Sequence, residues 1–305
     1  DILIPRGDDC GVIECAGRLC ITSDLFLEGT HFRRATFPPE DVGYKALAVN
    51  VSDISAMGAE PAGFNLNLMI PKDLDESFWA SFFKGMAELA KEHNLTLLGG
   101  DVSRAGFLGV DITMWGRAPD RLMLREQCRP GDELFAVGPL GLARVGLTLL
   151  EEGGEPQAFP GGVRAHLHPR LFVREGRVLA QQPWVRGLMD VSDGLAIDVG
   201  RFLGPGLGLE LSMAHAQLEP EVRQFAAQRG EDPVCFALQG GEDYALLGGM
   251  RSGSLERLLE ICPEAVFLGT VDRAPGIKTQ GKPFLFQGYD HFSPAAGQVE
   301  PDGTA

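Results

Sequence analysis

The chain has 305 residues, 44% of them apolar and 23% charged, with 27 Lys and Arg against 42 Asp and Glu. This length suggests about two domains, and this balance excludes a disordered or collagen-like chain. The net charge of −15 argues against nucleic acid or an anionic membrane as partner, and any anionic substrate would call for metal ions as intermediaries.

Residues 19–24 (LCITSD) read as a strand ending in polar groups. Pro38, Pro39, Glu40 and Asp41 mark a helix start, and Val42, Ala46, Val49 and Ala56 share one helical face. Gly58 follows as a cap. Strand is predicted at 62–70, helix at 74–93, and strand again at 96–98 and 108–115. The first ~125 residues thus hold about four strands alternating with helices. Turn chemistry at Arg129-Pro130-Gly131-Asp132 marks a boundary, giving domains over 1–127 and 128–305. Beyond it, 132–150 reads as strand, glycine turn and helix, and 153–163 as a Gly/Pro-rich loop. Helix is predicted at 170–182, with His166 and His168, just before Pro169, at a helix start. A strand then ends at Asp190, and a helix follows Gly194. The expected class is α/β (α+β).

No apolar run approaches ~20 residues, so no membrane span is expected. The opening DILIPRGDD has no signal-peptide pattern. It runs almost directly into a strand end, so a segment upstream is expected. The cysteines at 10, 15, 20, 128, 235 and 262 form no CxxC pair and read as reduced thiols of a cytoplasmic protein.

Acidic residues recur beside Gly, Ser or Thr where strands end: Gly7-Asp8-Asp9, Thr22-Ser23-Asp24, Asn50-Val51-Ser52-Asp53, Gly99-Gly100-Asp101, Asp190-Val191-Ser192-Asp193 and Gly240-Gly241-Glu242-Asp243. Turns and helix caps use the same residues, so one cluster means little. Six with one grammar point to a multi-carboxylate site for Mg²⁺, which takes oxygen ligands and keeps several waters. Asn50 and Asp53 would be helical neighbours that line such a site or face solvent. A P-loop is absent, and Gly138-Pro139-Leu140-Gly141 reads as a plain strand-to-helix turn. There is no G-x-S-x-G, and no cysteine has a nucleophile's setting. His31, just past the Thr-Ser-Asp cluster, is the histidine best set to touch a substrate.

Taken in order and spacing, GDD, TSD…EGTHF, GYKALAVNVSDISAMGAEP, LLGGD, DVSDGLAIDVGR, GGEDYALL and GYDHF resemble the thiamine-monophosphate kinase family, from Gly7 to Phe292. NVSDISAMG is shared more loosely with aminoimidazole-ribonucleotide synthetase and selenophosphate synthetase. The resemblance implies phosphorylation of thiamine monophosphate to thiamine diphosphate by ATP, a two-domain fold, several Mg²⁺ ions, and a homodimer formed through the N-terminal sheet. By the same carry-over, Asp9, Thr22, Ser23, Asp24, Asp53, Asp101, Asp190 and Asp193 would be metal ligands. Gly100, Asp101, Arg125 and Ser192 would touch ATP, and His31, Glu242 and Tyr289 the thiamine substrate. The family's aromatic near Phe83 is often Tyr, and Tyr289 stands where Trp is frequent. The rival readings are a sister ATP-dependent synthetase or phosphotransferase, a metal-dependent hydrolase, and a non-enzymatic divalent-cation binder.

Overall fold

The computed structural model describes residues 2–4, 11–14 and 17–284. Asp9 and Tyr289, both expected in the site, lie outside the described residues. The N-terminal sheet contains β1 (Ile2–Ile4), β2 (Gly11–Glu14), β3 (Arg18–Leu27), β4 (Glu60–Ile70), β5 (Thr96–Arg104) and β6 (Gly109–Arg117), ordered β1-β2-β3-β6-β4-β5. Two short strands therefore precede those read from the sequence. Every pairing is antiparallel except β4 with β5.

Helix α1 (Pro39–Ala56) lies on this sheet, with α2 (Glu76–Glu92) packed along it. Gly43 of α1 meets the Phe82 backbone and Gly85 of α2 meets the Glu40 backbone. A Cβ at either glycine would lie 1.9 Å from a carbonyl oxygen, so the close crossing of the two helices requires both. Nearly all of α1 is buried, which is more than the single apolar face in the sequence implies. The second domain covers its other side, as expected of a helix without a polar face.

Strand β5 runs on to Arg104, so Gly99, Gly100 and Asp101 lie inside the strand and not after it. Gly100 has φ 150°, and a Cβ there would sit 1.7 Å from the Leu66 carbonyl oxygen. Pairing with β4 thus overrides the poor strand propensity of two glycines. β5 is an edge strand and is exposed along its whole length.

The second sheet contains β7 (Glu133–Val137), β8 (Val185–Asp190), β9 (Gly208–Leu211), β10 (Leu246–Met250), β11 (Ala265–Asp272), β12 (Gly276–Thr279) and β13 (Lys282–Pro283). Their order is β13-β12-β9-β11-β7-β10-β8. Around it lie α3 (Leu142–Glu151), α4 (Pro160–Leu167), α5 (Val173–Ala180), α6 (Leu195–Leu203), α7 (Pro220–Gln228), α8 (Pro233–Leu238) and α9 (Leu255–Ile261). α4 corrects two expectations. The loop predicted to reach residue 163 gives way to helix at Pro160, and His166 and His168 end that helix instead of opening the next. The cause is remote in sequence: Glu221 accepts the Gly161 and Gly162 amides at 3.0 and 2.8 Å and so caps a helix start that local signals conceal. α1 also contacts α4, α5 and β8, which makes it the element shared by both domains. Among the described residues no helix is long and apolar enough to cross a membrane.

Candidate active site

Alternation along β3 sends Thr22 and Asp24 toward α1 and Ser23 to the other face. The Thr22 hydroxyl donates to Asp53 Oδ2, and Asp24 is hydrogen-bonded to Asp53 as well. One residue earlier on α1, Ser52 Oγ donates to Asp190 Oδ2 at 2.8 Å. Asp190 ends β8, so α1 joins carboxylates of both domains. Burial, helped by the neighbouring Asp190 and Asp111 charges, pushes the Asp24 carboxyl up to about 6. Burial also raises Asp190, against the Ser52 hydrogen bond and the charge of Arg125. Burial first, then the charges of Glu242, Asp24, Asp190 and Asp53, raises the Tyr244 phenol. Asp24, Asp53 and Asp190 therefore gather from β3, α1 and β8, with Arg125 acting on Asp190.

Such a gathering favours a divalent cation, because the donors are all oxygen and burial, with the Asp190 charge, raises the Asp24 carboxyl. Among the described residues no three His, Cys, Asp or Glu side chains form a ready-made metal cage.

Ser23 and Asp101 belong to a second group. Ser23 Oγ lies 3.3 Å from Asp111 Oδ1 and 3.1 Å from Thr113 Oγ1. Asn67 Nδ2 donates to Asp111 Oδ2 at 2.8 Å, and the amide beyond Gly100, that of Asp101, donates to Asn67 Oδ1 at 2.9 Å. Among the described residues the expected ligands other than Asp193 thus fall into two groups about β3. Asn67 and Asp111 have no signal in the sequence beyond being single polar residues in alternating strands.

Asp193 stands beside Arg201, which pairs with it and, at 3.2 Å, with Asp198. Asp198 is fully buried in the first turn of α6 and accepts the Asp193 and Gly194 amides, both at 3.1 Å. The turn carrying Ser192 and Asp193 is therefore pinned from inside the same motif, DVSDGLAIDVGR. Asn50 is buried and donates back to the Ala46 carbonyl at 3.3 Å.

The GGED loop docks on this turn: the Glu242 amide donates to the Ser192 carbonyl at 2.7 Å and the Tyr244 amide to the Val191 carbonyl at 2.9 Å. Asp243 accepts the Gly141 amide at 2.5 Å and the Ala143 amide at 3.1 Å, capping α3. Glu242 faces Lys45 at 3.0 Å and His166 at 3.1 Å. Burial alone would raise its pKa, but the Lys45 charge and the His166 hydrogen bond prevail and hold it at about 2. His31 Nδ1 accepts the Leu27 amide at 3.0 Å, which in the neutral ring leaves the proton on Nε2. Its ring stacks on Phe26, which leads through Phe37 to His166. An aromatic wall thus connects His31 with the Glu242 cluster. Phe83 is half-exposed on α2.

Residues 7–118 match the N-terminal domain of AIR synthase related proteins, and residues 129–282 match their C-terminal domain. The thiamine-monophosphate kinase of Aquifex aeolicus (strain VF5) is 32% identical over 290 residues, covering 94% of this chain and 92% of that protein. That of Synechococcus elongatus is also 32% identical, covering 94% and 91%. The structure of AaThiL complexed with AMPPCP and TMP superposes with a TM-score of 0.84 at 31% identity, covering 94% of this chain and 91% of that one. Two matched domains and identity above 30% along nearly the whole length make the chain a member of the thiamine-monophosphate kinase family.

Proposed function

We propose that this kinase moves the γ-phosphoryl group of ATP directly, in line, onto the phosphate of thiamine monophosphate, with Mg²⁺ held at the carboxylates gathered around α1. Asp24, Asp53 and Asp190, with Thr22, would hold the ion, and Asp9, Ser23, Asp101 and Asp193 complete the expected set. When bound, Mg²⁺ screens the two anions and stabilises charge on the transferred group. Arg125, whose charge acts on Asp190, would meet an ATP phosphate, and Gly100, Asp101 and Ser192 are the other expected nucleotide contacts. His31, Glu242 and Tyr289 would receive the thiamine moiety. A protein nucleophile is not required, because a substrate oxygen attacks. In keeping with this, burial pushes the Cys128 thiol up to about 12 and the Cys262 thiol up to about 11, which leaves both inert. Among the described residues Cys20, Cys128, Cys235 and Cys262 are free, which supports a cytoplasmic setting.

The observation that carries this reading is the meeting of Asp24, Asp53 and Asp190 across the domain boundary. Incubation with ATP, Mg²⁺ and thiamine monophosphate should give thiamine diphosphate and ADP in equal amounts by mass detection. Inorganic phosphate released without acceptor would indicate a hydrolase instead, and absence of thiamine diphosphate would overturn the reading.

A homodimer forms part of the same proposal. β5 leaves a sheet edge open, with Leu98 67% and Val102 64% exposed, and Leu25 of β3 is 53% exposed. An edge strand with apolar side chains outward is a template for pairing, and a two-fold copy is the commonest partner. Leu98→Glu combined with Val102→Lys should convert a dimer to monomer in sedimentation at micromolar concentration. A wild-type monomer under those conditions would sink the proposal.

A further inference from the structure

Lys45 is fully buried in α1. Its ammonium donates to the His166 carbonyl oxygen at 2.6 Å and lies 3.0 Å from Glu242 Oε1. It stands 5.4 Å from the centroid of the Phe37 ring and 3.4 Å from His166 Nδ1. The same ring nitrogen is 3.1 Å from Glu242 Oε2. Each oxygen of Glu242 therefore has its own partner, one from α1 and one from α4.

The backbone at Glu242 has φ 62°, a left-handed conformation that a non-glycine residue seldom adopts. Its amide is tied to Ser192. Backbone and carboxylate are thus fixed independently, and the side chain remains 24% exposed. A residue so constrained, with part of its side chain open, is suited to recognition.

We propose that Lys45 is a positioning residue for the thiamine substrate, acting through Glu242, and that Glu242 serves as a fixed hydrogen-bond acceptor for the aminopyrimidine and not as the counter-ion of the thiazolium. The inference rests on Glu242 being a thiamine contact in the function proposed above. The charge arithmetic supports it. Burial lowers the Lys45 pKa, but the Glu242 charge and hydrogen bond oppose it. With its ammonium 3.0 Å from Glu242 and 2.6 Å from the His166 carbonyl oxygen, Lys45 is the charge that balances the Glu242 carboxylate, and burial together with that charge keeps His166 neutral. The other nearby carboxylate, Asp243, is turned to the α3 amides. No unbalanced negative charge is left at Glu242 for a cation. An ionised carboxylate with two of its roughly four acceptor positions filled still accepts an amino N–H strongly.

The test is an equilibrium titration of thiamine monophosphate, its 4′-oxo analogue (which lacks the amino donor) and ATP against wild type, E242Q, K45M and K45M/E242Q. Wild type should prefer the amino form to the oxo form by at least about tenfold, a difference of roughly 1.4 kcal/mol. E242Q and K45M should each lose most of that preference while binding ATP within about twofold of wild type. K45M strands a buried carboxylate and is the variant most exposed to misfolding. The double variant is neutral and of similar volume, and it should match E242Q for every ligand. A double variant more than about threefold weaker than E242Q toward thiamine monophosphate would show that Lys45 acts by another route and overturn the inference. So would a folded K45M that keeps the amino preference. If E242Q itself binds thiamine monophosphate normally, the Glu242 reading falls first, and the Lys45 inference with it.

Discussion

Asp53→Asn and Asp190→Asn should each lower kcat by about 10³-fold or more while leaving the fold intact. Removal of one well-placed electrostatic contact to a transition state costs about 10²–10³-fold, and each of these carboxylates would hold an ion that serves both substrates. The amide keeps the local geometry. In the first variant the new side-chain carbonyl can still accept from Thr22, and in the second it can still accept from Ser52. These are the two hydrogen bonds that bind α1 to β3 and β8. Stability should hold in both variants, and it can rise in Asp190→Asn, because that exchange removes a charge that raises the Asp24 carboxyl, whereas Asp53 is hydrogen-bonded to Asp24. The measurements are circular dichroism, a thermal midpoint, and the rate of thiamine diphosphate formation. Rates within tenfold of wild type in both variants would remove the metal-site reading. Asp193→Asn probes the other half of the motif, and its loss should be smaller, because Arg201 already engages that carboxylate.

Strongly periodic segments were legible from the sequence. The helix beginning at Pro38-Pro39-Glu40-Asp41 and the strand at 62–70 both appear within a few residues of their expected bounds. Failures fell where a distant residue decides. Nothing near Pro160 announces α4, because its cap is Glu221, some sixty positions away. Gly99-Gly100 looks like a turn until Leu66 is found against it, at a distance only glycine permits. The acidic clusters singled out Asp24, Asp53 and Asp190, which the fold brings together, but only Asp190 ends its strand: β3 runs on past Asp24 to Leu27, and Asp53 lies inside α1. Lys45 carries no signal in the sequence, and His166 reads only as part of a helix start, because their partners are distant in sequence. A lysine within an apolar helix reads as a solvated side chain, and only tertiary packing shows that its face is covered by α4 and the GGED loop. Asp111 and Asn67, single polar residues in alternating strands, look like ordinary surface positions until β3 and β5 are laid beside them.

With divalent metal removed by chelation, the stability that Asp24 contributes should be lost as pH rises from about 4 through about 6, and Mg²⁺ should restore it. The folded Asp24 carboxyl titrates at about 6, above its ordinary 3.8. The folded protein therefore keeps a proton that the unfolded chain has released. Stability from this source is complete below about pH 4 and is lost as pH rises through about 6. The shift of about two units corresponds to roughly 3 kcal/mol, a fall of several degrees in thermal midpoint for a chain of this size. Asp190, raised by burial, acts in the same direction. Asp198 and Asp243, both pushed up to about 7 mainly by burial, extend the window upward. Glu242, held at about 2, contributes in the opposite sense at lower pH, and His166 and His93, lowered mainly by burial, oppose the trend up to about pH 6.5, so the Asp24 share is read as the difference from Asp24→Asn. Mg²⁺ binds the deprotonated carboxylates, so its stabilisation should grow over the interval in which the metal-free protein weakens. The decisive comparison is wild type against Asp24→Asn, with thermal midpoints recorded from pH 4 to 8 in chelator and in Mg²⁺. Asp24→Asn should flatten the metal-free curve and reduce the gain from Mg²⁺ above pH 6. Equal slopes and equal gains in the two proteins would mean that Asp24 neither carries the extra proton nor contributes to holding the ion.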